Sequence, residues 1–329
     1  MFTIKNLEIM RKYLIMIFLA SFFVSCKDEY GDVDFKEEMR NFVIGISEYS
    51  KAINPNFVVI PQNGQELVTT DGEEDGSPHT MYLNAIDGVG REDLFYGYDN
   101  DNELTPTVER NYMISYLLVC TANNVSVLVT DYCWTPSSMD YSYAQNNARG
   151  FISFAAPSRE LDVIPTYPVQ PFNTNSDNIN SLNDAKNFLY IINPQNFASR
   201  DEFVSAVNQT SYDVIIMDFF FDDEEFTPDQ INALKTKANG GKRLVISYLS
   251  IGEAEDYRYY WQNSWSNDPP KWIEEENPDW EGNFKVRYWY SEWKSIIYGN
   301  NDSYIKKIID VGFDGVYLDI IDAFEYFED

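Results

Sequence analysis

Residues 227–253 read TPDQINALKTKANGGKRLVISYLSIGE, a helix pattern followed by a strand pattern. Thr227 is a typical N-cap and a proline follows it, so we predict a helix over residues 228–238 that ends before a Gly-Gly pair. The continuous apolar run over residues 243–249 predicts a strand that is covered on both faces. A helix followed by such a strand indicates a parallel β/α unit.

The same alternation recurs along the chain. Seven further strands are predicted over residues 57–60, 85–87, 125–130, 150–155, 188–192, 213–217 and 315–318. Further helices are predicted over residues 37–53, 107–122, 139–148, 181–185, 201–208 and 304–311. Eight such units predict an α/β fold, a single (β/α)8 TIM-type barrel over residues 37–329, although a doubly wound open sheet would give similar local patterns.

The order of helices suggests a circular permutation. The last predicted strand lies almost at the end of the sequence, so the helix that should follow it is expected to be missing there. The amphipathic helix at residues 37–53 precedes the first strand and would supply that helix.

The first 26 residues resemble a bacterial lipoprotein signal peptide. A charged start at Met10-Arg11-Lys12 precedes an apolar run over residues 13–24, which is too short for a comfortable membrane span, and then Ser25-Cys26. We therefore expect lipidation at Cys26, a polar tether over residues 27–36, and export to the outer membrane. The acidic residues that follow Cys26 are typical of lipoproteins sent to the cell surface.

The charge balance limits the partners and the chemistry. Acidic side chains number 53 against 24 basic ones, for a formal net charge of −29, so nucleic acid is not an expected partner. The one histidine, His79, lies at a loop-like stretch, which argues against histidine-based nucleophilic catalysis and a histidine-rich metal site. We expect no metal and no cofactor, and acid/base work falls to carboxylates. Cys120 and Cys133 could pair or simply be buried.

Polar side chains follow the ends of the predicted strands, where parallel β/α folds place their functional groups. In chain order these are Gln62 and Asn63, Asp87 with Glu92, Asp131, Asn193, Asp218, Glu253, and Asp319 with Asp322. A single such carboxylate is often only an N-cap or a solvated loop group. Crowded carboxylates push their pKa values apart, however, so that one stays protonated while another is ionised, as glycoside hydrolysis requires.

Aromatic residues are dense after the predicted seventh strand, and their flat faces suit sugar rings. They are Tyr257, Tyr259, Tyr260, Trp261, Trp265, Trp272, Trp280, Tyr288, Trp289, Tyr290 and Trp293. The competing interpretation is a long loop that packs its own small core.

Two motifs resemble glycoside hydrolase family 114, the endo-α-1,4-polygalactosaminidases. They are VISYLSIGEAEDYR at residues 245–258 and GFDGVYLD at residues 312–319, and the strand that ends at Asp218 fits the same family. The resemblance covers about residues 187–329. The N-terminal half, with IPQNG at residues 60–64, looks like the segment that follows the last motif in prokaryotic relatives, which agrees with a permuted order.

The resemblance implies a barrel that cleaves α-1,4-linked galactosamine polymers with two carboxylates. Asp218 would act as nucleophile or base and Glu253 as the acid, with Glu281 as a rival acid. Asp319 would orient the substrate or bind its amino group. Further substrate contacts are expected from Asn63, Glu92, Asp131, Tyr248, Arg258, Trp261, Trp289 and Asp322. A carboxylate-lined cleft would attract such a cationic polymer.

Three points stay open in the sequence. Cleavage would retain configuration if the two carboxyl groups stand about 5 Å apart and invert it at about 6.5–9.5 Å. A non-catalytic surface glycan-binding lipoprotein would share the barrel and the aromatic residues. A metal-assisted polysaccharide deacetylase or hydrolase could use Asp131, Asp218 and Asp319 as oxygen ligands.

Overall fold

The computed structural model of the protein describes residues 30–328. The chain divides into two units, Met1–Asp34 and Phe35–Asp329. The described part of the first unit, residues 30–34, contains no helix or strand. The predicted signal peptide and Cys26 lie outside the described residues and stay predictions. No helix within residues 30–328 has the length and apolar character needed to cross a membrane.

The second unit alternates strands with helices. The strands are β1 (Val58–Pro61), β2 (Gly88–Glu92), β3 (Ser126–Tyr132), β4 (Ile152–Ala156), β5 (Phe188–Tyr190), β6 (Val214–Asp218), β7 (Phe220–Phe221), β8 (Glu224–Glu225), β9 (Leu244–Ser250), β10 (Glu253–Glu255), β11 (Ile273–Glu276), β12 (Asn283–Val286) and β13 (Gly315–Asp319). The α-helices are Phe35–Ile53, Thr80–Ala85, Thr107–Ala122, Pro136–Asn147, Arg200–Asn208, Pro228–Leu234, Ser291–Ile297, Tyr304–Val311 and Ala323–Glu328. Short 3-10 helices cover Gln65–Val68, Leu182–Asp184 and Asn263–Ser266.

Eight of the strands pair in parallel and form two sheets. One sheet has the order β1-β13-β9-β6-β5 and the other the order β2-β3-β4. A parallel bridge between Gln62 and Gly90 places β2 beside β1. On the opposite side, the rings of Phe154 in β4 and Phe188 in β5 lie 5.7 Å apart. The predicted α/β fold with a parallel central sheet is therefore confirmed.

The first helix covers the sheet as its sequence pattern predicts. Met39, Phe42, Val43 and Ile46 follow the helical period and are fully buried. The helix contacts the helix Tyr304–Val311, which precedes β13 in the sequence, and the helix Ala323–Glu328, which follows it. It begins at Phe35, two residues before the predicted start.

Several local predictions were wrong, among them the helix over residues 181–185, where only the short 3-10 helix Leu182–Asp184 forms. Residues 80–85 form a helix, for which the side chain of His79 accepts a hydrogen bond from the backbone N–H of Tyr82, and the second strand comes later, at Gly88–Glu92. Glycine is needed in that strand because a Cβ atom on Gly90 would lie 2.0 Å from the hydroxyl oxygen of Tyr317. The sequence also predicted no helix after the last strand, whereas Ala323–Glu328 is helical.

The segment after β9 is not a simple loop. It contains the antiparallel sheet β10-β12-β11, with Ala254 opposite Phe284. The aromatic side chains are divided between a packed core and a more exposed surface: Trp272 and Trp293 are buried, while Tyr257 and Trp280 are more than half exposed. Elsewhere, Cys120 and Cys133 are buried and unpaired.

A buried ion pair lies at the start of β6. The Nζ atom of Lys237 lies 2.8 Å from a carboxylate oxygen of Asp213, and neither side chain is exposed to solvent. Asp213 also accepts hydrogen bonds from the Asn175 side chain and from the backbone N–H of Lys186, both at 2.8 Å. The pair therefore connects three separate segments of the chain.

We predict that Lys237→Met lowers the free energy of unfolding by about 3–5 kcal/mol, because it leaves the Asp213 carboxylate buried without its counter-charge. Urea denaturation checks this. The matched control is Lys306→Met, which breaks a surface pair with Asp310 at 2.6 Å and should cost less than about 1 kcal/mol. Equal losses in the two variants would contradict the prediction.

Candidate active site

A cavity of about 650 Å³ lies at the carboxyl ends of the parallel strands. Nine carboxylates of the described chain line it: Glu92, Asp218, Asp222, Asp223, Glu253, Glu255, Glu281, Asp319 and Asp322. Two guanidinium groups, those of Arg159 and Arg258, also line it. Both belong to ion pairs within the protein, Arg159 with Asp93 and Asp101 and Arg258 with Asp218 and Glu255. The cavity therefore presents a strongly negative surface.

Asp218 ends β6 and is fixed by a bidentate ion pair. Its two carboxylate oxygens lie 3.0 and 2.7 Å from the two Nη atoms of Arg258, and the backbone N–H of Phe220 donates to it at 2.8 Å. The Nε atom of Arg258 also donates to Glu255 at 2.7 Å. These two carboxylates hold the pKa of Arg258 well above its usual range despite its burial. Such charge-assisted contacts fix the position of the pair.

Glu253 begins β10 and is held by two amides. The side-chain nitrogen of Asn277 donates to one carboxylate oxygen at 2.7 Å and that of Asn283 donates to the other at 3.0 Å. The turn before Glu253 needs glycine, because a Cβ atom on Gly252 would lie 2.2 Å from the carbonyl oxygen of Ile320. The close approach of these two backbone segments brings Glu253 to the cavity that Asp218 lines.

Asp319 ends β13 and faces a tyrosine of the neighbouring strand. The Tyr248 hydroxyl donates to its carboxylate at 2.7 Å. Burial, and to a smaller extent the negative charge of Glu92, raise the pKa of Asp319 to about 7, while the Tyr248 hydrogen bond opposes both effects. Asp322, three residues on, has its pKa raised to about 6, again mainly by burial. Near neutral pH, Asp319 is therefore protonated in a large fraction of molecules.

Glu92 belongs to a polar network on the other side of the cavity. It accepts hydrogen bonds from Gln62 at 2.6 Å, from Asn63 at 3.1 Å and from the Tyr132 hydroxyl. The Tyr190 hydroxyl in turn donates to Gln62 at 3.0 Å. The two parallel sheets thus contribute to one hydrogen-bonded floor.

Most of the residues predicted from the sequence line this cavity. They are Asn63, Glu92, Asp218, Tyr248, Glu253, Arg258, Glu281, Asp319 and Asp322.

Four predicted residues lie elsewhere and have structural contacts instead. Asp87 precedes β2 and forms an ion pair with Lys51 at 3.0 Å. Asp131 is fully buried and accepts hydrogen bonds from the backbone N–H groups of Phe95 and Tyr96 and from the side chains of Ser142 and Asn146. Its burial raises its pKa. The structure therefore does not bring it together with Asp218 and Asp319, and no cluster suited to a metal ion was found among residues 30–328.

Trp261 and Trp289 pack against other aromatic rings. The ring of Trp261 lies 4.9 Å from that of Phe284, and the ring of Trp289 lies 5.1 Å from that of Phe35. Neither tryptophan lines the cavity. Aromatic content alone did not distinguish packed rings from exposed ones.

Several residues of the site were not predicted. Glu255 could have been found from its spacing of three from Arg258, and Arg159 from its place just beyond β4. Asn277 and Asn283 carried no signal in the sequence, because only the pairing of β10 with β12 and of β12 with β11 brings their segment to Glu253. Trp280 was one aromatic residue among many.

Part of the chain is similar to a known protein family. Residues 172–329 match the family model of glycoside-hydrolase family GH114. The matched region contains Asp218, Glu253 and Asp319, and it leaves out Asn63 and Glu92.

Three relatives are each similar to part of this chain. An uncharacterized protein of Methanocaldococcus jannaschii is 42% identical over 155 residues, which is 46% of this chain and 42% of the relative. Uncharacterized proteins of Thermotoga maritima and Deinococcus radiodurans are each 41% identical, over 123 and 122 residues. These matches cover 36% of both chains for the first protein and 37% of both chains for the second. The chain thus spans about two-fifths or less of the length of these relatives.

The raised pKa of Asp319 predicts a pH-dependent stability. Because its folded pKa of about 7 exceeds the ordinary value of 3.8, its contribution is fully present below pH 3.8 and is lost as the pH rises through about 7. We predict that the melting temperature falls less between pH 4.5 and 8 in Asp319→Asn than in the wild type, when it is measured at roughly ten pH values.

Tyr248→Phe is the matched variant. It removes the hydrogen bond that lowers the pKa of Asp319, so the loss of stability should extend to higher pH than in the wild type. Calorimetry across the same buffers measures both variants. Parallel curves for the wild type and Asp319→Asn would contradict this assignment.

Proposed function

We propose that the protein is a glycoside hydrolase that cleaves an α-1,4-linked galactosamine-type polysaccharide with two carboxylates, Asp218 and Glu253. The observation that carries the proposal is that both side chains line one cavity, each held in place by its own partners. The family match over residues 172–329 supports the reaction class.

The two carboxylates are suited to different steps. Asp218 is held in place by Arg258, where its carboxylate would face the positive charge that develops on the sugar ring. Glu253, in its protonated form, gives its proton to the glycosidic oxygen as the C–O bond breaks, and the bonding electrons leave with that oxygen. Water then supplies the new hydroxyl group at the anomeric carbon, and its second proton returns to a carboxylate. The anomer released first distinguishes Asp218 as nucleophile from Asp218 as base.

The charge of the cavity supports a cationic substrate. Nine carboxylates surround it and both guanidinium groups are already paired, so an ammonium group of galactosamine would be attracted. A uronate or sulfate group would find no unpaired cation among the described lining residues. In this proposal Asp319 and Tyr248 contact the amino group or a hydroxyl group of a bound sugar.

We further propose that the eight parallel strands close into a circularly permuted barrel. The Gln62–Gly90 bridge and the approach of Phe154 to Phe188 lie at the two places where the sheets would join. The family match begins before β5 and runs through β13. β1 precedes the matched region in the sequence, yet it pairs with β13, the last strand of that region. Lipid anchoring to the outer membrane through Cys26 is part of the proposal and is supported by the sequence alone.

We predict that Asp218→Asn and Glu253→Gln each reduce hydrolysis of an α-1,4-linked galactosamine polymer by about 10²–10⁴-fold, because each removes a group that acts in the transition state. Mass spectrometry of the released oligosaccharides measures this, with N-acetylated and uronic-acid polymers as comparison substrates. Asp310→Asn, outside the cavity, is the control and should keep wild-type activity.

Two results would reject the proposal. Undiminished hydrolysis in both variants would show that these carboxylates are not the catalytic pair. Tight binding of oligosaccharides by the wild type, with no products after long incubation, would instead support a non-catalytic glycan-binding protein.

A further inference from the structure

The loop between β11 and β12 is held together by hydrogen bonds within itself. We define it as residues 277–283 and call it the 277–283 loop. The backbone N–H of Asn277 donates to the carbonyl of Asn283 at 2.7 Å, and that of Asn283 donates to the carbonyl of Trp280 at 3.1 Å. Gly282 has a φ of +85°, a conformation that side chains other than glycine rarely adopt, and its carbonyl accepts from the N–H of Asp256 at 2.9 Å. The ends and the tip of the loop are thereby connected.

The two ends of this loop hold the proposed proton donor. Asn277 and Asn283 donate to different oxygens of Glu253, at 2.7 and 3.0 Å. The Tyr257 hydroxyl, which donates to Glu255 at 2.7 Å, lies 3.3 Å from the side-chain oxygen of Asn283. The position of the Glu253 carboxylate therefore depends on the conformation of the loop.

The tip of the loop presents an exposed aromatic face to the same cavity. Trp280 lines the cavity and is 56% exposed, whereas Trp272 and Trp293 of the same region are only 4% and 0% exposed. A large apolar ring left in water beside polar groups is a favourable platform for the apolar face of a sugar. The packed tryptophans cannot serve in that way.

We propose that the 277–283 loop is a positioning element, in which Trp280 stacks on a sugar unit beside the scissile bond while Asn277 and Asn283 hold Glu253 against the glycosidic oxygen. This inference rests on the proposed function. Because one short, braced loop carries both the sugar platform and the two amides, a sugar stacked on Trp280 is held in a fixed position relative to Glu253. Substrates long enough to reach Trp280 are then cleaved faster, as well as bound more tightly, than shorter ones.

The first test concerns Trp280 and is made on the purified full chain. Trp280→Ala should weaken binding of α-1,4-linked galactosamine oligosaccharides about tenfold, a loss typical of one stacked ring, and should abolish the rate advantage of longer oligosaccharides. Trp280→Phe keeps a flat ring and should restore most of both. Trp134→Ala is the matched control, because Trp134 is 52% exposed and does not line the cavity.

The second test concerns the two amides. Asn277→Ala and Asn283→Ala should lower kcat about 100-fold through misplacement of Glu253, with KM nearly unchanged. Their melting temperatures, compared with that of the wild type, separate this effect from unfolding. If the lower kcat is accompanied by a clearly lower melting temperature, the amides have only a structural role and the inference is wrong.

The outcomes distinguish this inference from the proposed function. If the wild type cleaves the oligosaccharides and Trp280→Ala behaves like Trp134→Ala, the positioning role is wrong and the hydrolase assignment stands. If the wild type neither binds nor cleaves them, both are wrong. Isothermal calorimetry measures the binding separately from the reaction, so loss of binding and loss of chemistry are not confused.

Discussion

The ion pair network of Arg258 is the constraint on which the site depends. One guanidinium joins Asp218, at the end of a parallel strand, to Glu255, in the antiparallel sheet that also carries Glu253. Without this cation, the carboxylates of Asp218 and Glu255 would repel each other in a largely buried setting. That repulsion would oppose the contact between the parallel sheet and the antiparallel sheet. The arrangement of the proposed catalytic groups thus follows from one shared counter-charge.

Around this network, each carboxylate has a distinct environment. Asp218 faces a cation, Glu253 faces two amides, and Asp319 faces a tyrosine in a setting that raises its pKa to about 7. Asp319 can then keep its proton at a pH at which an ordinary aspartate has lost it. A negative cavity that contains paired cations also selects the charge of whatever enters it.

The strands and the strand-end residues could be predicted from the sequence because both depend on local patterns. Continuous apolar runs such as residues 244–250 identify buried strands, and the residues just beyond them must lie at one edge of a parallel sheet. The strand Gly88–Glu92 was missed because its glycines reflect close contacts with residues far away in the sequence, Gly88 with Leu182 and Gly90 with Tyr317. Long-range packing of this kind leaves no local pattern.

The same limit explains the errors in the site. Asp131 follows its predicted strand as Asp218 does, but in the structure it lies within β3 and accepts hydrogen bonds from the backbone N–H groups of residues 95 and 96. The sequence pattern does not describe the loop that supplies these donors. Asn277 and Asn283 reach Glu253 only through the pairing of β10 with β12. Carboxylates at strand ends are visible in a sequence, whereas the partners that orient them are not.

The central claim is that Asp218 and Glu253 act on one glycosidic bond from within one cavity. A crystal structure of the Asp218→Asn variant with an α-1,4-linked galactosamine oligosaccharide tests it most directly. The account predicts a glycosidic oxygen within about 3 Å of Glu253 and an anomeric carbon that faces residue 218. An oligosaccharide bound outside the cavity, or one whose glycosidic oxygens all lie beyond the reach of Glu253, would contradict it.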